Sequence, residues 1–295
     1  MSFIKRINKK DDNIILEFYD GEDIRVEENI ELKEISKDSN TIRICFLDVE
    51  TTGFDVEECE VIELAMKVIE INKNDGSELK SVKKYESYND PASEISEEIT
   101  KLTGISNDMV KDKSIDWDEV SEILNMSQLV VAHNARFDRK FIDKYIQTKN
   151  IWACSQGDIE WKERGFFKQG LEMLCIWHGF YYAAHRAMND VNAMIHLLMH
   201  NSYSEDLPIL ELISNAKKPW YKIINKFPYN EKHIKLIKSR RLYRYEPNNK
   251  SWSTIFNDED KIQVEKEWLE ENIYEGYFKG QIQLLTIYDK YKDNI

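Results

Sequence analysis

The run from Ile42 to Glu50 constrains this chain more than any other. It is mostly apolar and reads as a buried strand, yet it carries Asp48 and Glu50 just before Thr51-Thr52-Gly53 turns the backbone. Side chains alternate along a strand, so both carboxylates point to one side, with Leu47 and Val49 on the other. Two like charges close together in a half-buried place repel each other and lose hydration, at a cost of roughly several kcal/mol unless something compensates. A hard divalent cation such as Mg²⁺ or Mn²⁺ is the usual compensation. A lone pair of this kind also fits an exposed strand edge, so the reading needs company from elsewhere in the chain.

Two later stretches supply it. In Val130-Val131-Ala132-His133-Asn134-Ala135-Arg136-Phe137-Asp138 a short apolar strand ends at His133-Asn134 and a helix starts near Ala135. On that helix Asp138 shares a face with Phe141, Ile142 and Tyr145. In His185-Arg186-Ala187-Met188-Asn189-Asp190 a second helix sets Asp190 in line with Ala193, Met194 and Leu197. His185 comes five residues earlier, about 140° away around an ideal helix. It reaches the same site only from the loop or first turn before the helix, a position that suits an acid/base group. Four carboxylates and a histidine at the ends of buried elements match two cations about 4 Å apart, the arrangement that serves in-line phosphoryl displacement.

The segments FLDVETTG, HNARFD and HRAMND resemble the three motifs of the DEDDh-type exonucleases of the DnaQ-like family, and ITKLTGI at residues 99–105 resembles the family's segment after the third strand. The resemblance covers roughly residues 41–202. A tyrosine four residues before the last aspartate would mark the sister subclass; Arg186 stands there and His185 takes the fifth place. The resemblance implies an RNase H-like α/β fold, a mixed central sheet flanked by helices. It implies two divalent cations, Mg²⁺ or Mn²⁺, held by Asp48, Glu50, Asp138 and Asp190, with His185 as general base. The implied reaction is hydrolysis from a free 3′ end to nucleoside 5′-monophosphates, with single-stranded DNA the favoured partner and RNA possible. Thr51, Phe54 and Asn134 are then the contacts to the terminal nucleotide, although Phe54 stands where leucine is commoner.

From Thr41 the pattern predicts three meandering strands, the second over Val61–Ile69 and the third over Ser81–Tyr88. Helices over Ile95–Leu102 and Trp117–Met126 follow, then the strand Leu129–Ala132, a mixed α/β order. Residues 1–38 form a charged region with an expected β-hairpin, Ile14–Tyr19 against Ile24–Val26 about Asp20-Gly21, to which no chemistry attaches. Residues 39–203 are the expected exonuclease domain and 204–295 a small α+β C-terminal module. In that module the expected order is helix Leu207–Ala216, helix Glu231–Lys238, strand Leu242–Tyr245, strand Ser251–Phe256 and helix Asp258–Asn272. The portion RLYRYEPNNKSWS is similar to a small module that follows exonuclease domains in some bacterial DnaQ-like proteins.

A net charge of −13 argues at first against a polyanionic partner. Its distribution argues the other way, because eleven Lys or Arg face two Glu between Lys217 and Lys250. Trp220, Tyr221, Phe227, Tyr229, Tyr243, Tyr245 and Trp252 run through or just past that segment. Basic groups neutralise phosphates and aromatic rings stack on unpaired bases, while some of the same rings must serve as the core of so short a module.

Cys45, Cys59, Cys154 and Cys175 are widely spaced and read as reduced thiols. His196 and His200 have helical ligand spacing but no glutamate between them, and read as structural. The chain holds no apolar run of membrane-spanning length, and its first residues lack the apolar block of a signal peptide; a cytoplasmic location without a membrane partner is the expectation. A segment for binding a polymerase or clamp is not evident. Two rival readings remain beside the leading one. One is a 3′→5′ exoribonuclease trimming short RNA or tRNA ends; the other is a non-catalytic nucleic-acid-binding protein, against which the intact Asp48, Glu50, Asp138, Asp190 and His185 speak.

Overall fold

The computed structural model describes residues 8–10, 13–21, 24 and 39–293. The chain forms two compact units, one extending to Ala216 and including the tail from Tyr291, the other spanning Lys217–Lys290.

The first unit opens with three short strands, β1 (Asn8–Lys10), β2 (Asn13–Ile15) and β3 (Glu17–Phe18). β1 pairs antiparallel with β2. In the expected hairpin's first strand, β2 takes β1 as a partner, and most of its second strand, Ile24–Val26, lies outside the described residues. Gly21 has a different reason to be glycine: its φ is 78°, and a Cβ there would come within 2.3 Å of Asn192 Nδ2. Ile24 beyond it is buried in the main core.

The central sheet comprises β4 (Thr41–Thr51), β5 (Val61–Asn72), β6 (Glu78–Tyr88), β7 (Leu129–Ala132) and β8 (Ile151–Cys154), in the order β6-β5-β4-β7-β8. β4, β5 and β6 run antiparallel, and β7 and β8 add on in parallel. Both faces of β4 and β5 are covered, which is why they read as nearly continuous apolar runs. Helices α1 (Glu97–Thr103), α2 (Asn107–Val110) and α3 (Trp117–Met126) lead into β7. Ser96 caps α1 by accepting from Ile99 N, and Gly104 ends it in the left-handed region at φ 73°. Asp116 caps α3 by accepting from Asp118 N and Glu119 N.

α4 (Ala135–Asp143) follows β7, then α5 (Leu171–Trp177) and β9 (Phe180–Tyr181), which β3 joins in parallel. α4 ends before Tyr145, so that residue leaves the expected face and its ring stacks on Trp117 at 4.0 Å. α6 (Ala187–Leu198) packs its apolar face into the sheet's core, as does α7 (Pro208–Ala216). The sequence assigned α7 to the C-terminal module; the burial of Ile209, Leu212 and Ile213 in the first core moves the boundary from 203/204 to 216/217.

The second unit is a four-stranded antiparallel sheet of β10 (Trp220–Asn225), β11 (Arg244–Glu246), β12 (Ser251–Phe256) and β13 (Gln281–Leu285), ordered β11-β12-β10-β13. α8 (Glu231–Ser239) and α9 (Glu259–Leu269) pack on one face around Ile223. α9 is shorter than expected, because the chain continues through a π-helical turn over Glu270–Tyr274. The sequence pattern does not predict α2, β8, α5, β9, β10 or β13.

Candidate active site

Asp48 and Glu50 are half-buried on one face of β4, while Leu47 and Val49 between and beside them are fully buried. A register shift between Glu50 and Thr51 ends the regular pairing with β5 just past the second carboxylate. Asp138, only 1% exposed in the first turn of α4, accepts from Val49 N at 3.3 Å through Oδ1. Its Oδ2 is buried with no hydrogen-bond partner. Asp190, in the first turn of α6, accepts from the Tyr182 hydroxyl at 2.7 Å and from Arg186 N at 3.1 Å. Ligand oxygens of Asp48, Glu50 and Asp190 lie within 4.8 Å of one another.

Burial and mutual repulsion govern the charge state of this group. Desolvation, with the charges of Asp190, Asp138 and Glu50, raises the Asp48 carboxyl well above its ordinary range. Glu50 is pushed up to about 8 by burial and by Asp190, Glu63 and Asp138, with Arg186 acting in the opposite direction. Asp138 is likewise pushed up to about 8, chiefly by burial. Asp190 is raised by burial against the lowering effect of its bonds to Tyr182 and Arg186. An all-oxygen donor set, an orphaned carboxylate oxygen and mutual repulsion together fit hard divalent cations.

Asp48 and Asp190 line an open cleft of about 470 Å³ together with His133, Leu171, Glu172, Tyr182 and His185. His185 precedes α6, where the geometry of the helix required it, and its backbone is left-handed at φ 63°. A non-glycine residue in that region costs on the order of 1–3 kcal/mol, and such residues cluster at functional sites. Its ring is partly exposed at the rim, with Nε2 3.9 Å from Glu172 Oε2. His133 lies deeper. Its Nε2 donates to Gln169 O at 2.8 Å, which leaves Nδ1 to accept from the Ser155 hydroxyl at 2.8 Å. Burial lowers its pKa to about 4, so the ring is neutral and both nitrogens are committed.

Thr51, Phe54 and Asn134 are not among the residues lining the cleft. Thr51 is buried and donates its hydroxyl to Gly53 O at 2.6 Å. Phe54 is 80% exposed, its ring 6.1 Å from that of Phe137, and Lys140 donates to its carbonyl. Asn134 is exposed at the start of α4 with φ 65°. Among the other histidines, His196 stacks on Tyr19 at 4.2 Å and His200 bonds Ser202 Oγ at 2.8 Å. The thiols of Cys45, Cys154 and Cys175 are buried and free.

The residues that sequence reasoning missed are Glu63, Arg186, Tyr182 and His133. Glu63 on β5 lies directly across from Glu50 and is 1% exposed. It accepts from Arg186 Nη2 at 2.9 Å and from Ala187 N at 2.9 Å, the first amide of α6. The same guanidinium bonds the Tyr88 hydroxyl and lies 5.6 Å from that ring's centre. Glu63 carried a signal, a charge inside an apolar strand. Its partner, 123 residues away, carried none.

The sequence pattern of the RNase T exonuclease family matches residues 45–198, just over half of the chain. PolC-type DNA polymerase III of Staphylococcus saprophyticus is 30% identical over 202 residues, covering 63% of this chain and 13% of that protein. The corresponding protein of Halalkalibacterium halodurans is 30% identical over 172 residues, covering 54% and 12%. The chain thus spans about an eighth of the length of the curated relatives it matches. Among solved structures, exonuclease X in complex with 5′-overhanging duplex DNA aligns over 57% of this chain and 99% of its own, at 20% identity and a TM-score of 0.42. The family match falls on the elements that carry the acidic cleft, and the chain belongs to the RNase T family of exonucleases.

Proposed function

We propose that this chain is a divalent-cation-dependent 3′→5′ exonuclease of the DEDDh type, with single-stranded DNA as favoured substrate and nucleoside 5′-monophosphates as product. The observation that carries this reading is that Asp48 and Asp190, two of three clustered carboxylates, and His185 open on one cleft. Asp48, Glu50, Asp138 and Asp190 would hold Mg²⁺ or Mn²⁺, which when bound offset charge on the phosphodiester and favour in-line displacement. His185, at the accessible rim, takes the proton of the attacking water. His133 is neutral and fully bonded, and serves as a wall of the cleft rather than a second base. Tyr182 and Arg186 N orient Asp190. Phe54 and Asn134, both exposed, are available to contact the terminal nucleotide, with Thr51 shaping the turn between strand and Phe54. The names of the PolC-type relatives support DNA over RNA.

The test uses 5′-labelled single-stranded DNA, duplex DNA and RNA with Mg²⁺ or Mn²⁺. The expected result is a one-nucleotide ladder shortening from the 3′ end, fastest on single-stranded DNA. Asp48→Ala abolishes the ladder, and His185→Ala slows it by about 10²–10⁴-fold. Faster loss of RNA would shift the assignment to an exoribonuclease. Binding of every strand without shortening would replace the enzyme by a binding protein.

A further inference from the structure

The C-terminal unit sorts the basic and aromatic residues of its first part into two groups. Some are internal. Arg240 pairs with the buried Glu265 and lies 4.9 Å over the Trp268 ring, and Lys222 Nζ sits 2.7 Å from Glu246. Tyr221, Phe227, Tyr243 and Trp252 pack around Ile223 and Ile237 in the core. Those side chains are occupied by the fold.

The rest face outward. α8 presents Lys232, Lys235 and Lys238 to solvent, and exposed Arg241 follows it; Arg244 is exposed too, but on β11 it points to the sheet face away from Tyr245, Trp252 and the helices. Among the described residues, Lys235 alone of these five has a carboxylate partner, the exposed Glu231 at 2.7 Å on its own helix. Such a pair contributes little. Tyr229, just before α8, is 85% exposed; Tyr245 on β11 is 45% exposed, one side of its ring packed against Trp252 at 5.1 Å between centroids. Against these cations α8 carries one exposed acid, Glu231; the other exposed acids are Asp258, Glu259, Asp260 and Glu267 of α9 and its cap, and Glu271 and Glu275 of the turn after it. A face that merely stays hydrated mixes both signs. Segregated charge instead produces a field that draws in a polyanion.

We infer that the outward face of α8 and the residues flanking it bind single-stranded nucleic acid, with Lys232, Lys235, Lys238 and Arg241 neutralising phosphates and the exposed rings of Tyr229 and Tyr245 stacking on bases. An acidic protein would use the cations and leave the exposed ring faces of Tyr229 and Tyr245 unused. Unpaired bases use both, because every base offers a π face. The inference rests on the exonuclease reading for the identity of its polyanion, and it adds a second, non-catalytic holding site for the strand.

The test is fluorescence anisotropy of the full chain with a labelled oligothymidylate, in chelator so that no strand is cut, across a potassium chloride series. For the triple variant Lys232→Gln, Lys235→Gln, Lys238→Gln, the slope of log K against log salt should fall by about 2, near 0.7 for each lost phosphate contact. Tyr229→Ala with Tyr245→Ala should weaken binding by roughly tenfold or more with the slope unchanged. Hydrolysis of a dinucleotide should be unaffected in both variants. An unchanged slope in the lysine variant overturns the inference. A reduced slope with no effect of the tyrosines, and equal affinity for duplex, also overturns it in favour of duplex backbone binding. A wild-type chain that binds with this salt dependence but never shortens a strand would sink the exonuclease reading while leaving the binding face standing.

Discussion

At the scale of single residues, the cleft is a store of electrostatic repulsion. Glu50 and Asp138 hold protons up to about pH 8 in the folded, metal-free chain, whereas their ordinary values are 4.5 and 3.8. Between those limits the folded state binds protons that the unfolded state has released. The stability they contribute is therefore fully present below about pH 4 and is lost as pH rises through about 8. Denaturant titrations in chelator should show the metal-free protein weakening across that window. Asp138→Asn should flatten the slope, since the amide oxygen can still accept from Val49 N without a charge to bury. A slope unchanged by that substitution would mean that Asp138 is already ionised and paired in the folded chain. Added Mn²⁺ should stabilise the wild type most at the alkaline end, because the cation binds the deprotonated carboxylates.

At the scale of elements, the arrangement depends on tying α6 to the sheet. Glu63 on β5 bonds both the Arg186 side chain and the first amide of α6, while Asp190 bonds the Arg186 backbone. His185 is held at its left-handed φ between these anchors and β9. A second tie lies further along β5, where the buried Lys67 donates to Asn192 Oδ1 of α6 at 2.5 Å and to Ile24 O at 3.0 Å. Glu63→Gln turns one carboxylate oxygen into an amide that faces the guanidinium donor to donor. It should cost about 1–3 kcal/mol of stability and lower kcat more than it raises KM, because it loosens His185, the proposed general base, rather than the substrate. Denaturation midpoints together with steady-state kinetics check both effects. Equal stability and equal kcat would show that the tie is dispensable.

At the scale of the whole molecule, two separate cores predict two separable stabilities. Ile223 is fully buried in the core of the second unit. Ile223→Ala should destabilise that unit by about 2–5 kcal/mol through lost burial and a residual cavity. Segment-resolved hydrogen exchange should then show faster exchange over residues 217–290 and unchanged protection in β4, β5 and α6, with dinucleotide hydrolysis retained. Loosened protection in β4 would mean that the two cores unfold as one.

What could be read in the sequence alone was whatever has a local period. Alternation put Asp48 and Glu50 on one face, and helical spacing put Asp138 beside Phe141 and Asp190 beside Ala193. The angle from Asp190 placed His185 ahead of its helix. What only the tertiary structure decided was pairing between distant segments. It joined Glu63 to Arg186, set His133 between Ser155 and Gln169, and gave β3 a partner in β9 rather than in its neighbour along the chain. It also separated Arg240, held by Glu265, from Lys238, which faces water, although both belong to one basic run. The physical reason is the same in each case. Periodicity tells which way a side chain points, but its charge state and its partner depend on what folding brings to that side.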